Sequence, residues 1–183
     1  VLQVIQPPVT AGNNATLTLP AIGGTGSLSA NKALVVDAKA PTVTNVTSAT
    51  SNGTYGLAQT IAVTVTFSET VTVTGVPQLT LATGGAGTAV NYASGTGSAT
   101  LTFNYTIGAG ENSTDLTYLG TTALGLNGGT IRDAATNDAV LTLASPTATG
   151  SLAANKAIVV DTTAPTVTNV TSTISTFVWL LAL

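Results

Sequence analysis

The chain has 183 residues with no Cys, His or Met, and only 6% are charged, four bases against seven acids for a net charge of −3. That length suits one ordinary domain with flanking pieces, and the composition excludes a disulfide framework, thiolate or imidazole catalysis and Cys/His metal sites. Four scattered positive charges are too few to track a phosphate backbone, so no nucleic-acid partner and no enzymatic role are expected.

Mean hydropathy is positive, yet the longest apolar run, 177–183, is far too short to span a bilayer, so no membrane insertion is expected. There is no initiating Met, basic leader or signal-like stretch, and the chain reads as an internal or mature piece of a longer precursor. In chain order, 11–37 reads as two strands. Ile61-Ala62-Val63-Thr64-Val65-Thr66-Phe67-Ser68 then sets its large side chains at odd positions, which places Ile61, Val63, Val65 and Phe67 on one buried face. Short strands are expected at Val71/Val73, Leu79/Leu81 and Val90/Tyr92. A long one follows through Leu101, Phe103, Tyr105 and Ile107, then short ones at Leu141/Leu143 and over 156–160. Gly-rich turns separate the runs: Ser51-Asn52-Gly53, Gly84-Gly85-Ala86-Gly87, Ser94-Gly95-Thr96-Gly97, Gly108-Ala109-Gly110 and Asn127-Gly128-Gly129. Short strands, such turns and no helical stretch predict an all-β antiparallel sandwich.

The sequence repeats itself. Asn31-Lys32-Ala33-Leu34-Val35-Val36-Asp37 returns as Asn155-Lys156-Ala157-Ile158-Val159-Val160-Asp161, a shift of 124 residues (31 to 155). The match runs back to Ala11 and Ala135, and forward without a gap through Ala40-Pro41-Thr42-Val43-Thr44-Asn45-Val46-Thr47-Ser48 and Ala164-Pro165-Thr166-Val167-Thr168-Asn169-Val170-Thr171-Ser172. Residues 1–37 are therefore expected to end with the last strands of a preceding module, 38–161 to be one complete module, and 162–183 to start a third before a divergent apolar tail at 176–183.

The strings Val-Val-Asp-Thr-Thr-Ala-Pro-Thr-Val (159–167), Val-Thr-Phe-Ser-Glu (65–69) and Ile-Arg-Asp-Ala-Ala-Thr-Asn-Asp-Ala (131–139) resemble bacterial Ig-like, cadherin-like tandem repeats of giant surface proteins and adhesins. These include the swimming-motility surface-protein repeats of cyanobacteria. The resemblance covers 11 to about 175 and implies an Ig-like sandwich that serves outside the cell as a spacer or adhesion module.

The few acids can be placed one by one. With strands alternating in direction, Glu69 falls beside Asp37 at one end of the module. If the strand over 139–143 pairs antiparallel with 156–160, the other end collects Asp133, Asn137, Asp138 and Asp161. Calcium takes six to eight such oxygens, so a cadherin-like junction stiffened by calcium is the expected cofactor chemistry. Against it stands the frequency with which Asp and Asn simply order turns. Asp133 and Asp138 as a glycosidase pair lack an aromatic sugar platform in a chain with one Trp, four Tyr and three Phe. Glu111 and Asp115 read as solvated, and the recurrent Thr-x-Thr pairs as the wet faces of strands. Six Asn-x-Ser/Thr sequons stand at Asn14, Asn45, Asn52, Asn104, Asn112 and Asn169.

Two roles follow for the whole. One is a spacer bead whose partners are neighbouring modules of the same array. The other is a filament subunit whose incomplete ends are completed by strands from other copies of itself.

Overall fold

The computed structural model describes residues 15–171. The tail at 176–183, the sequon at Asn14 and the first residues of the repeat lie outside the described residues. The chain divides into two compact units, Val1–Asp37 and Ala38–Leu183.

In the first unit the described residues hold one element, the four-residue helix α1 (Leu28–Asn31), whose Ser27 hydroxyl accepts from the Ala30 N–H at 3.2 Å. The strands expected in this segment are not formed among the described residues, and Leu17, Leu19, Leu34 and Val36 are 70% or more exposed. A strand needs a neighbour to take its backbone N–H and C=O groups, and within this unit these residues have no sheet to join.

The second unit is all-β. Its elements are β1 (Val43–Ser48), β2 (Gly53–Tyr55), β3 (Thr60–Thr74), β4 (Gln78–Leu81), β5 (Thr88–Ser94), β6 (Ser98–Thr106), β7 (Leu124–Gly125), β8 (Thr130–Arg132), the short helix α2 (Leu152–Asn155) and β9 (Ile158–Val160). The main sheet has the order β1-β3-β6-β5-β4-β7, with β8 on the far half of β3. Its pairings are antiparallel. β2 and β9 form a separate parallel pair.

The alternation works as the sequence predicts. On β3, Ile61, Val63, Val65 and Phe67 are buried, and across the register Leu101, Phe103 and Tyr105 of β6 meet them. Each such side chain contributes about 1.5–3 kcal/mol by leaving water. The opposite face is hydroxylic: Thr60 pairs with Thr106 at 3.2 Å, Thr66 with Thr100 at 3.3 Å, and Thr74 with Thr130 at 2.7 Å. The β5–β6 turn requires Gly95, whose φ is +112° and whose absent Cβ leaves room for the Thr100 carbonyl.

Two elements differ from expectation. Val71 and Val73 do not start a new strand but continue β3. After an irregularity between Thr66 and Val71, β3 leaves β6 and takes β8 as its partner at Thr72–Thr74. The segment over 139–143 forms no strand. It touches β1's approach through one parallel bridge, Thr42 with Val140, although Leu143 is buried. It therefore runs in the same direction as β1.

Candidate functional site

The second unit has two poles, each built where the chain enters or leaves it. At the incoming pole the Thr42 N–H donates to Ser68 Oγ at 3.0 Å, the Ser68 N–H to the Thr42 carbonyl at 2.8 Å, and the Val140 N–H to the Pro41 carbonyl at 2.8 Å. Glu69 follows Ser68 in the irregular stretch of β3, and its carboxylate lies within 4.8 Å of that of Asp133. Asp133 therefore belongs to the incoming pole. Asp37 is the last residue of the first unit.

The loop 133–138 organises itself around Asp133, which is 5% exposed. Asn137 donates to it twice, from its backbone N–H to Oδ1 and from its side-chain amide to Oδ2, each at 2.8 Å. Thr136 takes a positive φ of 71° to close the turn. Burial pushes the Asp133 carboxyl up, but the donors from Asn137, Ala135 and Thr136 outweigh it and hold the group below its usual range. Asp138 is exposed and pairs with the Arg132 guanidinium at 2.6 Å. Two carboxylates at this separation suit a hard cation chemically. The oxygens of Asp133 and Asp138, however, are already engaged by N–H donors, which is turn chemistry.

Asp161 is not with them. Its N–H donates to the Tyr55 carbonyl at 3.0 Å, and Gly56 lies against its own carbonyl. This is the Thr60 end of β3, about 30 Å from Glu69 at ~3.3 Å per residue. The expected grouping of Asp161 with Asp133, Asn137 and Asp138 assumed antiparallel packing of 139–143 on 156–160. The parallel bridge at Val140 starts that segment at the incoming pole instead.

The outgoing pole contains residues whose role the sequence did not reveal. Asn112 Oδ1 accepts from the Thr162 N–H at 2.9 Å and the Thr163 hydroxyl at 3.3 Å. The Thr162 hydroxyl donates to the Glu111 carbonyl at 3.0 Å and accepts from the Gly110 N–H at 3.1 Å. Asp161 Oδ1 accepts from the Thr163 N–H at 2.8 Å. The outgoing linker is thus stapled to the loop 110–112. The Asn112 sequon falls in this staple, which uses the side-chain oxygen and leaves the amide nitrogen to the Gly110 carbonyl.

Glu111, expected to be solvated, is instead a latch. Its carboxylate accepts from the Gly108 N–H at 2.6 Å, from the Tyr105 hydroxyl at 2.8 Å and from the Thr88 hydroxyl. Burial pushes the Glu111 carboxyl up, but these three donors outweigh it and the group stays below its ordinary range. The same burial, with the carboxylate beside it, pushes the Tyr105 phenol well up. Asp115 is exposed, as expected.

No family model, curated protein or solved structure matches this chain. Among the described residues no helix is long and apolar enough to cross a membrane.

Proposed function

We propose that the chain is part of a non-catalytic, load-bearing spacer, one bead of an extracellular tandem array of Ig-like sandwich modules whose partners are its own neighbours. The observation that carries this reading is the way the module holds its linkers. The incoming linker continues into β1 and then β2, while the outgoing linker continues from β9, and β2 and β9 pair in parallel with Gly53, Thr54 and Tyr55 opposite Ile158, Val159 and Val160. Tension at the outgoing linker meets β9 on β2 directly, and tension at the incoming linker meets β1 on β3 before it passes to β2. Both pairs are therefore pulled along their length and load their hydrogen bonds together, including Gly53 N–H to the Ala157 carbonyl at 3.1 Å and Asp161 N–H to the Tyr55 carbonyl at 3.0 Å. A module that resists in shear suits a chain that must hold something away from a surface. A divalent cation at the incoming pole, drawing on Glu69 and Asp133, belongs to the same proposal.

Single-molecule force spectroscopy on the chain held at its two ends tests it. The expected trace has one sharp unfolding peak, and Asp161→Pro, which removes the donor to Tyr55, lowers its force while leaving the main sheet folded. A gradual extension without a peak, or a peak unchanged by Asp161→Pro, would rule out the clamp.

A further inference from the structure

The first unit carries a groove of about 450 Å³ lined by Leu19, Pro20, Ile22, Leu28, Lys32 and Leu34. Leu19, Leu28 and Leu34 are 87%, 69% and 70% exposed. The residues 124 positions later are Leu143, Leu152 and Ile158, and these are 3%, 0% and 0% exposed. The local backbone is the same over 22–31 and 146–155, while 158–160 is strand and 34–36 is not. α1 and α2 are each capped by a serine hydroxyl that accepts from the third following N–H at 3.2 Å, and each is closed by a lysine N–H on the first helical carbonyl at 2.9 Å.

What covers the second set includes β1, packed on α2, and the segment 113–121. The Ser113 N–H donates to the Val160 carbonyl at 2.8 Å, and the Leu116 N–H to the Ile158 carbonyl at 2.7 Å. The Thr117 hydroxyl donates to the Pro146 carbonyl at 3.1 Å and the Tyr118 hydroxyl to the Ala144 carbonyl at 2.7 Å. Leu116 and Tyr118 are both 0% exposed. Subtracting 124 from each acceptor gives the carbonyls of Val36, Leu34, Ile22 and Pro20, and the last three of these residues line the groove.

We infer that this groove docks an extended strand with the side-chain pattern of 116–118, Leu-Thr-Tyr, supplied by another repeat of the same kind. The inference rests on the tandem reading. The Tyr enters the space between Leu19 and Leu28 with its hydroxyl on the Pro20 carbonyl, and the Leu packs against Leu34 while its backbone pairs with it. This is completion of a module by an outside strand, with alternate side chains in pockets and main-chain bonds giving register.

The test titrates a fluorescently labelled peptide of sequence 113–122 into the full 183-residue chain and follows anisotropy. Saturable binding is expected with a midpoint below about 1 mM. A peptide with Ser in place of both Leu116 and Tyr118 should bind at least about tenfold more weakly, as should the Leu28→Asp chain. The peptide variants leave the protein untouched, so a folding defect cannot imitate the result. Equal binding of both peptides, equal binding to Leu28→Asp, or no saturation would overturn the inference. A second protein, lengthened before Ala11 by a copy of 38–134, separates the two readings. If it protects 15–37 from proteolysis while the peptide fails to bind, trans docking is wrong and the tandem reading stands. If it gives no protection and the peptide fails, both are wrong.

Discussion

At the residue scale the informative side chain is Glu111. Three donors converge on it from β5, β6 and the loop at Gly108, so one carboxylate ties the sheet to the loop that holds the outgoing linker. Glu111→Gln keeps the shape but loses the charge that strengthens those bonds. With its one oxygen on Gly108 and Tyr105, it turns an amide donor toward the Thr88 hydroxyl, which must then accept. The wild type should therefore melt several degrees above the variant near neutral pH. The sign of the pH dependence follows from the lowered folded value. The carboxylate's contribution is complete above its ordinary value of 4.5 and is lost as the pH falls through the folded value. The difference between the two melting temperatures should then narrow as the buffer is taken below about pH 4, and paired melts across that range check it. A gap that stayed constant would mean that packing, not charge, carries the effect. Nothing in a Gly-rich string containing Glu111, Asn112 and Asp115 separates a latch from a solvated acid. Thr88 is 23 residues away on β5, and Tyr105, only six residues away, is an alternate inward side chain of β6 whose hydroxyl reaches the loop only once the sheet has formed.

At the element scale, the periodicity of β3 and β6 made both strands and their buried faces legible, because side-chain alternation depends on local geometry alone. The direction of 139–143 was not legible. It forms no ladder, its burial pattern fits either direction, and one bridge at Val140 marks which pole receives the loop 133–138. Three of the six expected ligands change pole, a placement that the pairing of β8 with Thr72–Thr74 shares with that bridge. Asp133, Asn137 and Asp138 join Glu69, and Asp161 stays behind at the other end. This sets what calcium should do. A cation at the incoming pole draws on Glu69 and on Asp133, and not on Asp161. Calcium at about 10 mM, against affinities ordinary for extracellular sites, should raise the melting temperature by a few degrees over chelator. Glu69→Gln should erase that rise, and Asp161→Asn should leave it intact. The reverse pattern would return the cation to the outgoing pole, and no rise in the wild type would leave the carboxylates as turn formers only.

At the scale of the whole molecule, every buried apolar side chain among the described residues lies between Val46 and Val160, and the described apolar residues of the first unit are largely exposed. The hydrophobic effect is therefore concentrated in one of the two units, and the unfolding enthalpy should be too. At roughly 0.7 kcal/mol per residue near 60 °C, a transition confined to 38–161 absorbs about 85 kcal/mol, whereas cooperative melting of the full chain would need about 130. Scanning calorimetry should find one transition near the smaller figure. Deleting residues 1–37 should shift its midpoint by no more than about 2 °C, since the deleted segment contributes little burial. A transition near the larger figure, or a large fall in the midpoint on deletion, would mean that the first unit melts as one with the module. In that case its exposed leucines are covered in solution by something this chain itself supplies. The expected outcome instead leaves the first unit as an open half-module, which is the state the docking groove at Leu19, Leu28 and Leu34 requires.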